Sequence, residues 1–388
     1  MHVVSLEPVI ASIPYDRREV SSQVARDGVT DVVIKITTDN GITGWGESCS
    51  GADVSSVYAA VQAMKPFVIG RDPWQRERMQ ADLWHHGLWQ FRATTANFAW
   101  AGIDMALWDV VGKYVGRPLY QLLGGNVRET VTYFYYLTRG TTEDLQAQCA
   151  HGLAAGYDCF YLKVGLNFAD DVRMVAAVRE ALGVGPRLRL DANAAWDTSD
   201  AVRHLRVLAE YDIDFVEQPV REHPLAIMAE VRQRSEIPIA ANEGLWTQAD
   251  TLDRMISRVA NVYCFSPYWV GSLTAFQRHS WLAHRLGLGV CKHTHGEFGI
   301  AAAASQHVLL TLPSIVEGHQ QTANHMQGDL LSQDIPIASG PNWDADPRPG
   351  LGIEVDEERL ADAAARYERD GQMMPYQLAE LRSEWGVG

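Results

Sequence analysis

The sequence has no long uncharged apolar stretch. Nowhere in its 388 residues do about 18 apolar residues follow one another, so we expect no transmembrane helix. The amino-terminal segment MHVVSLEPVIASIPYDRR also lacks a basic stretch followed by a long apolar one. This pattern is typical of a β-strand and not of a secretory signal.

Cysteine and positive charge are also scarce. The five cysteines are scattered without CxxC spacing, so we expect neither a disulfide framework nor a structural zinc site, and a reducing cytoplasm fits best. Only 33 Lys and Arg face 48 Asp and Glu, for a net charge of −15. That balance disfavours nucleic-acid and anionic-membrane partners. It still permits an anionic substrate, because a bound divalent cation can dominate the field inside a pocket.

The amino-terminal third predicts an α+β capping domain over residues 1–125. Apolar residues alternate from Val3 to Ile13, and Asn40-Gly41 forms a hairpin signal between two β-rich runs. Residues 55–123 have helical patterns, the last of which is closed by Gly116 and Pro118.

From about residue 130 the pattern changes to short apolar strands that alternate with amphipathic helices. The eight candidate strands are VTYFYY, CFYLKVG, RLRLDAN, DFVEQP, IPIAANE, NVYCFS, GLGVCKHTH and SIVEGH. Regular β-α alternation predicts parallel strands, and eight units predict a (β/α)8 TIM-type barrel over residues 126–350. An open doubly wound sheet is the alternative, but no GxGxxG follows the first strand. Residues 351–388, with a helix from Glu357, are expected to return to the cap.

Charged residues stand at the ends of four consecutive predicted strands. Lys163 closes the second, and Asp191, Glu217 and Glu243 close the next three at intervals of 26 residues, one β-α unit each. Strand ends of a barrel converge on one mouth, where three clustered carboxylates repel one another unless a cation holds them. Oxygen-only ligands favour Mg²⁺. The alternative is that each acid pairs with an arginine or caps a helix.

Lys163 and residues at the ends of the last two predicted strands suggest proton transfer at the same mouth. Lys163 is either a buried ion-pair partner or a general base whose pKa is lowered by the cation and by burial. His293 and His295 end the seventh strand and offer a second acid or base. Glu317, at the end of the eighth, orients a histidine, contacts a substrate oxygen or forms a salt bridge.

These residues lie in motifs that resemble the enolase superfamily, and within it the mandelate racemase-like group. GITGWGES (41–48) and ALWDVVGKYVGRPLYQLLGG (106–125) resemble its cap, and YLKVG, LDANAAW, FVEQP, PIAANE and PGLGIEVD resemble its barrel. The resemblance implies one Mg²⁺ per subunit on Asp191, Glu217 and Glu243, with Lys163 as the base. It also implies an opposite-face role for His295, an acid role for Glu317, and a place for Asn193 near metal and substrate.

Three positions depart from the family pattern. Tyr161 replaces the first lysine of KxK, as an acid or a substrate contact, and Ser266 occupies a position that often holds Asp or Lys. Without that Asp, His293 becomes a rival to His295. In the fifth strand we favour Glu243 as the third ligand, with Asn242 as the alternative.

The resemblance favours an acid-sugar dehydratase that acts on a small carboxylate. Expected substrate contacts are Tyr161, Asn193, Trp246 and His319. The alternatives are a racemase, epimerase or cycloisomerase on another carboxylate or lactone, and a barrel that has lost catalysis. A homo-oligomer, a dimer or an octamer, is also expected.

Overall fold

The amino-terminal region forms a three-stranded antiparallel sheet. The computed structural model describes residues 1–51, 53–88, 90–91 and 93–373. The strands run in the order β1 (Val3–Val20), β2 (Ala25–Thr38) and β3 (Thr43–Ser48). The predicted hairpin at Asn40-Gly41 is confirmed, and Gly41 takes a left-handed φ of 82° that the turn requires.

Helices complete the amino-terminal region, and the first and third of them pack directly on this sheet. They are α1 (Val54–Met64), α2 (Arg76–His86), α3 (Thr95–Val115) and α4 (Leu119–Leu122). Helix α3 ends at Gly116 with φ 65°, as the sequence predicts. Two glycines allow α3 to pack closely on β3, because a methyl group on Gly46 would lie 1.9 Å from the Gly102 carbonyl oxygen. Among the described residues, no helix is both long and apolar enough to cross a bilayer.

The rest of the chain builds the predicted barrel from seven parallel strands in chain order. A short antiparallel pair, β4 (Thr130–Thr132) with β12 (Asn342–Asp344), lies outside this sheet. The barrel strands are β5 (Tyr135–Leu137), β6 (Cys159–Lys163), β7 (Arg187–Asp191), β8 (Ile213–Glu217), β9 (Ile239–Ala241), β10 (Val262–Phe265) and β11 (Gly289–Lys292). The helices are α5 (Thr142–Ala154), α6 (Phe168–Leu182), α7 (Thr198–Leu208), α8 (Leu225–Arg234), α9 (Gln248–Ile256), α10 (Pro267–Val270), α11 (Leu273–Arg285) and α12 (Gly299–Leu310).

The eighth predicted strand is an irregular extended segment. Val316 N donates to Val290 O at 2.8 Å, and His319 N donates to Thr132 O at 2.9 Å, so the segment still closes the circle. The carbonyl groups of residues 317 and 318 accept hydrogen bonds from the buried Arg189 guanidinium in place of a sheet ladder. The architecture is therefore a modified TIM barrel, and the open doubly wound alternative is wrong.

The cap and the barrel meet through buried polar contacts as well as apolar ones. The Glu47 carboxylate, at the end of β3, accepts hydrogen bonds from Phe298 N at 2.7 Å and Ala301 N at 2.8 Å, at the start of α12. The predicted carboxyl-terminal helix is α13 (Glu357–Asp370), which packs on β1. The last part of the predicted tail, residues 374–388, lies outside the described residues.

Candidate active site

The strand register brings the predicted basic and acidic side chains to one end of the barrel. Lys163 and Asp191 are Cα partners in the β6–β7 pair, and Asp191 and Glu217 are partners in the β7–β8 pair. Glu243 follows the end of β9 by two residues. All four therefore stand at the carboxyl ends of consecutive parallel strands, where the βα loops of such barrels build their active sites.

Direct hydrogen bonds connect the lysine to the first carboxylate. Lys163 Nζ lies 2.5 Å from Asp191 Oδ2 and 2.9 Å from Asn193 Oδ1. The Tyr161 hydroxyl donates to the same Asp191 oxygen at 2.5 Å. Asn193 Nδ2 donates to Glu243 Oε1 at 3.1 Å, so one amide bridges the lysine and an acid two strands away. Asn193 has a left-handed φ of 44°, a strained conformation that is typical of functional sites.

The two glutamates have buried oxygen atoms without a partner. Glu217 Oε2 accepts from Gln320 Nε2 at 2.6 Å, but Glu217 Oε1 and Glu243 Oε2 have no hydrogen-bond partner among the described residues. Burial and the Asp191 charge raise the pKa of Glu217 well above its ordinary value and raise the pKa of Glu243 to about 7. Buried acids with unused oxygens lack a countercharge, and a hard divalent cation such as Mg²⁺ fits that donor set.

The fifth-strand alternatives differ in what their side chains do. Asn242 Nδ2 donates to the Cys264 carbonyl at 3.1 Å, whereas Glu243 has a buried carboxylate oxygen without a partner among the described residues. The three carboxylates of the predicted triad do not bring one oxygen each within 4.8 Å of one another. Among the described residues, only Asp31, Glu47 and Cys49 bring three ligand atoms within 4.8 Å of one another. They form a buried group at the contact between cap and barrel. Glu47 there caps α12.

The protonation state of Lys163 depends on two opposing effects. Burial lowers its pKa, but the carboxylates of Asp191, Glu19 and Glu217 outweigh burial and raise the pKa above its ordinary value. These side chains alone therefore do not produce the predicted lowering of the Lys163 pKa. It requires a cation that neutralises the carboxylates beside the lysine.

Both predicted histidines lie at the mouth and are neutral. Burial lowers the pKa of His293 well below its ordinary value and that of His295 to about 3, and the Lys163 charge contributes to both shifts. His293 Nδ1 accepts from Trp269 Nε1 at 2.8 Å, and His295 Nε2 accepts from Gly51 N at 3.1 Å. Each ring therefore keeps its proton on the other nitrogen.

The remaining predicted contacts divide into two groups. The Trp246 ring packs against Trp269 at 4.3 Å, beside the histidines. His319 is fully buried in the barrel wall, where its Nδ1 accepts from Lys292 N at 2.9 Å. Glu317 is not brought to the mouth: it pairs with Arg128 at 2.8 Å and accepts from Thr132.

Glu317 is separated from the catalytic group by the length of a strand. Its carbonyl accepts from Arg187, the first residue of β7, whereas Asp191 is the last residue of that strand. Glu317 forms a salt bridge, as its alternative interpretation predicted, and we leave it out of the proposed catalytic residues. Gln320 instead brings the eighth segment to Glu217.

Sequence reasoning missed two charged residues of the cap that lie over this mouth. Glu19 and Arg26 form a buried ion pair, and the Tyr136 hydroxyl donates to Glu19. The turn between them contacts the loop after β7, because Gln23 Nε2 donates to Asn193 O at 2.8 Å. The sequence signal was only two opposite charges on either side of a polar turn.

Family models match most of the chain. The enolase C-terminal domain-like model matches residues 144–359, and the mandelate racemase/muconate lactonizing enzyme N-terminal domain model matches residues 13–124. The chain therefore belongs to the enolase superfamily, in its mandelate racemase/muconate lactonizing enzyme family. Enzymes of this superfamily use a lysine or histidine base with one or two Mg²⁺ ions to stabilise an enediolate.

Individual relatives represent several reaction classes. Muconate cycloisomerase 1 of Pseudomonas putida is 30% identical over 87% of this chain and 91% of its own length. Arabinonate dehydratase of Saccharolobus solfataricus is 27% identical over 84% of this chain and 88% of its own. The crystal structure of N-succinyl Arg/Lys racemase from Bacillus cereus superimposes with a TM-score of 0.87 at 25% identity, covering 94% of this chain and 98% of that one. Membership of this family thus indicates chemistry through an enolate, but it does not identify the overall reaction or the substrate.

Proposed function

We propose that this protein removes the proton α to a carboxylate of an acid sugar and eliminates the β-hydroxyl group, giving a 2-keto-3-deoxy acid. The observation that carries the proposal is the arrangement of Lys163. Its ammonium group bonds Asp191 and Asn193 beside two glutamates with unused oxygens, within electrostatic reach of two neutral histidines. Dehydratases among the relatives support the same reaction.

The residues take the following roles. Asp191, Glu217 and Glu243 would hold Mg²⁺, which supplies the countercharge for the substrate carboxylate and its enediolate. Asn193 orients the lysine, and Lys163 Nζ, in its neutral form, accepts the α proton. His293 or His295 takes up a proton from solvent when the anionic substrate binds, and as the β C–O bond breaks the imidazolium gives this proton to the departing hydroxide, so that water leaves and the ring is neutral again. The enol that remains tautomerises to the keto acid.

A second candidate is an epimerase or cycloisomerase on another carboxylate or lactone. The same histidines favour it, because a proton donated to the carbon instead of to a leaving group gives inversion. The racemase and cycloisomerase relatives support it. Deuterium incorporation from D2O without loss of water would identify this reaction.

The test uses purified enzyme with Mg²⁺ and a panel of aldonic and aldaric acids, with 2-keto products as the readout. Lys163→Ala is expected to abolish product formation and α-proton exchange, because it removes the amine that is assigned as the base. Lys65→Ala, in the cap, is the matched control and should keep wild-type rates. Product from the Lys163→Ala variant would refute the assigned base, and no reaction or exchange with any acid would favour a barrel without catalysis. The expected homo-oligomer stays a prediction for light scattering to test.

A further inference from the structure

Arg26 is a buried arginine whose hydrogen-bonding capacity is largely unused. It is the second residue of β2, and only 6% of its surface is exposed. Its Nε donates to Glu19 Oε2, but Nη1 and Nη2 have no hydrogen-bond partner among the described residues. Neither terminal nitrogen is sealed inside the protein, since neither is among the fully enclosed atoms that lack a partner. Up to four N–H donors therefore face an accessible space.

The guanidinium packs beside the catalytic residues. A methyl group placed on Gly296 would lie 3.1 Å from Arg26 Nη1, and Gly296 directly follows His295. The Arg26 charge contributes to lowering the pKa of His295, after the larger effect of burial. The guanidinium therefore lies at the mouth of the barrel, on the side formed by the loop after β11.

Glu19 fixes this guanidinium from the opposite side. One Glu19 oxygen binds Arg26 Nε and the other accepts from the hydroxyl of Tyr136, in the first barrel strand. The Tyr136 ring lies 5.3 Å from the ring of Tyr161, which bonds Asp191. Arg26 is thus held between the first barrel strand and the β11 loop, and its terminal nitrogens have no partner among the residues that the structure describes.

We infer that Arg26 binds a second carboxylate of the substrate, at the end distant from the reacting one, so that the substrate class is a dicarboxylic acid sugar. The inference rests on the proposed function. The planar guanidinium fork matches a carboxylate with two parallel hydrogen bonds. Glu19 already offsets part of the arginine charge, which favours a singly charged group over a phosphate dianion. Glu19 is a positioning residue in this arrangement.

Matched substrate pairs test the inference with the wild-type enzyme. Galactarate is compared with galactonate, and glucarate with gluconate, because each pair differs only in the distal carboxylate. The expected result is a kcat/KM about 10- to 100-fold higher for the diacid of the reactive pair, the size of effect of one charge-assisted contact. Equal efficiency on both members, or preference for a gluconate 6-phosphate included in the panel, would overturn it.

Variants assign the preference to the arginine. Arg26→Gln should lose about 10- to 100-fold in kcat/KM on the diacid, mostly through KM, and little on the monoacid. Arg26→Lys should recover part of the loss, since an ammonium keeps the charge without the fork. Arg17→Gln is the matched control, because Arg17 lies in the same ribbon with an exposed side chain paired to Asp144, and it should change neither substrate.

A double variant separates binding from folding. Arg26→Gln alone leaves Glu19 buried without its cation, so Glu19→Gln/Arg26→Gln removes both charges together. Selective loss of diacid activity in the double variant, with a thermal unfolding midpoint close to wild type, supports the inference. Equal loss on both members of a pair shows a structural role and overturns it while the proposed function stands. Absence of turnover and of exchange with every acid overturns the proposed function, and the inference with it.

Discussion

Replacing Glu47 by alanine is expected to weaken the attachment of the cap to the barrel. The side chain is fully buried, and its carboxylate accepts from Phe298 N and Ala301 N at the start of α12. The first N–H groups of a helix have no partner within the helix. Alanine would leave both donors buried without an acceptor.

The magnitude follows from these two contacts. A buried donor without a partner costs about 1–3 kcal/mol, so two donors cost about 2–6 kcal/mol. Glu47→Gln keeps one acceptor oxygen and should cost roughly half as much. Both effects are large beside a typical unfolding free energy of about 5–15 kcal/mol.

Glu47 and its neighbour Asp31 together predict how the stability of the protein depends on pH. Burial raises the pKa of Asp31 to about 6 and, together with the Asp31 charge, raises the pKa of Glu47 well above its ordinary value. A carboxyl group whose pKa is higher in the folded state stabilises the fold fully below its unfolded pKa, and this contribution is lost as pH rises through the folded pKa. Stability should therefore fall as pH rises through about 6, with a slope of up to about 1.4 kcal/mol per pH unit for each proton released.

Urea denaturation followed by tryptophan fluorescence and circular dichroism, at pH 5, 6 and 7, measures both effects. Wild type should lose stability between pH 5 and pH 7, and Asp31→Asn should flatten that dependence, because the pKa of Asp31 is about 6 and an amide cannot release the proton. A Glu47→Ala protein with the wild-type midpoint at every pH would refute the proposed capping role. An unchanged pH slope in Asp31→Asn would refute the assignment of the titrating group.

Two further predictions concern the metal site and the cap. Glu243→Gln is expected to lower Mg²⁺ affinity at least about tenfold by calorimetry, because it removes a free carboxylate oxygen, whereas Asn242→Ala should leave it within a few-fold of wild type; the reverse order would assign the ligand to Asn242. Gly46→Ala is expected to cost about 1–3 kcal/mol in urea unfolding, because its methyl group would meet the Gly102 carbonyl. Gly340→Ala, where a methyl group meets nothing within 4 Å, is the control, and equal stability of the two variants would contradict this packing.

The candidate site was predictable where chain order and spatial order coincide. Parallel strands that follow one another through the barrel place equivalent strand ends side by side, so the 26-residue spacing was enough to bring Asp191 and Glu217 into register. Lys163 followed from the same rule. The cap hairpin and the end of α3 were predictable because glycine conformations are local.

Tertiary structure decided the features that join distant segments. Glu317 was expected at the mouth because its segment resembles a strand. The Arg189 guanidinium instead binds the carbonyl groups of that segment, and the Glu317 carboxylate pairs with Arg128 at the opposite end of the barrel. Glu19, Arg26 and Glu47 act on residues more than a hundred positions away, and nothing local to their sequence specifies that contact. The sequence alone determined a barrel and the strand ends that carry its chemistry, because periodicity and spacing are properties of neighbours along the chain. Only packing of the cap on the barrel decided which charges are buried over the mouth, because burial depends on surfaces that the folded chain brings together.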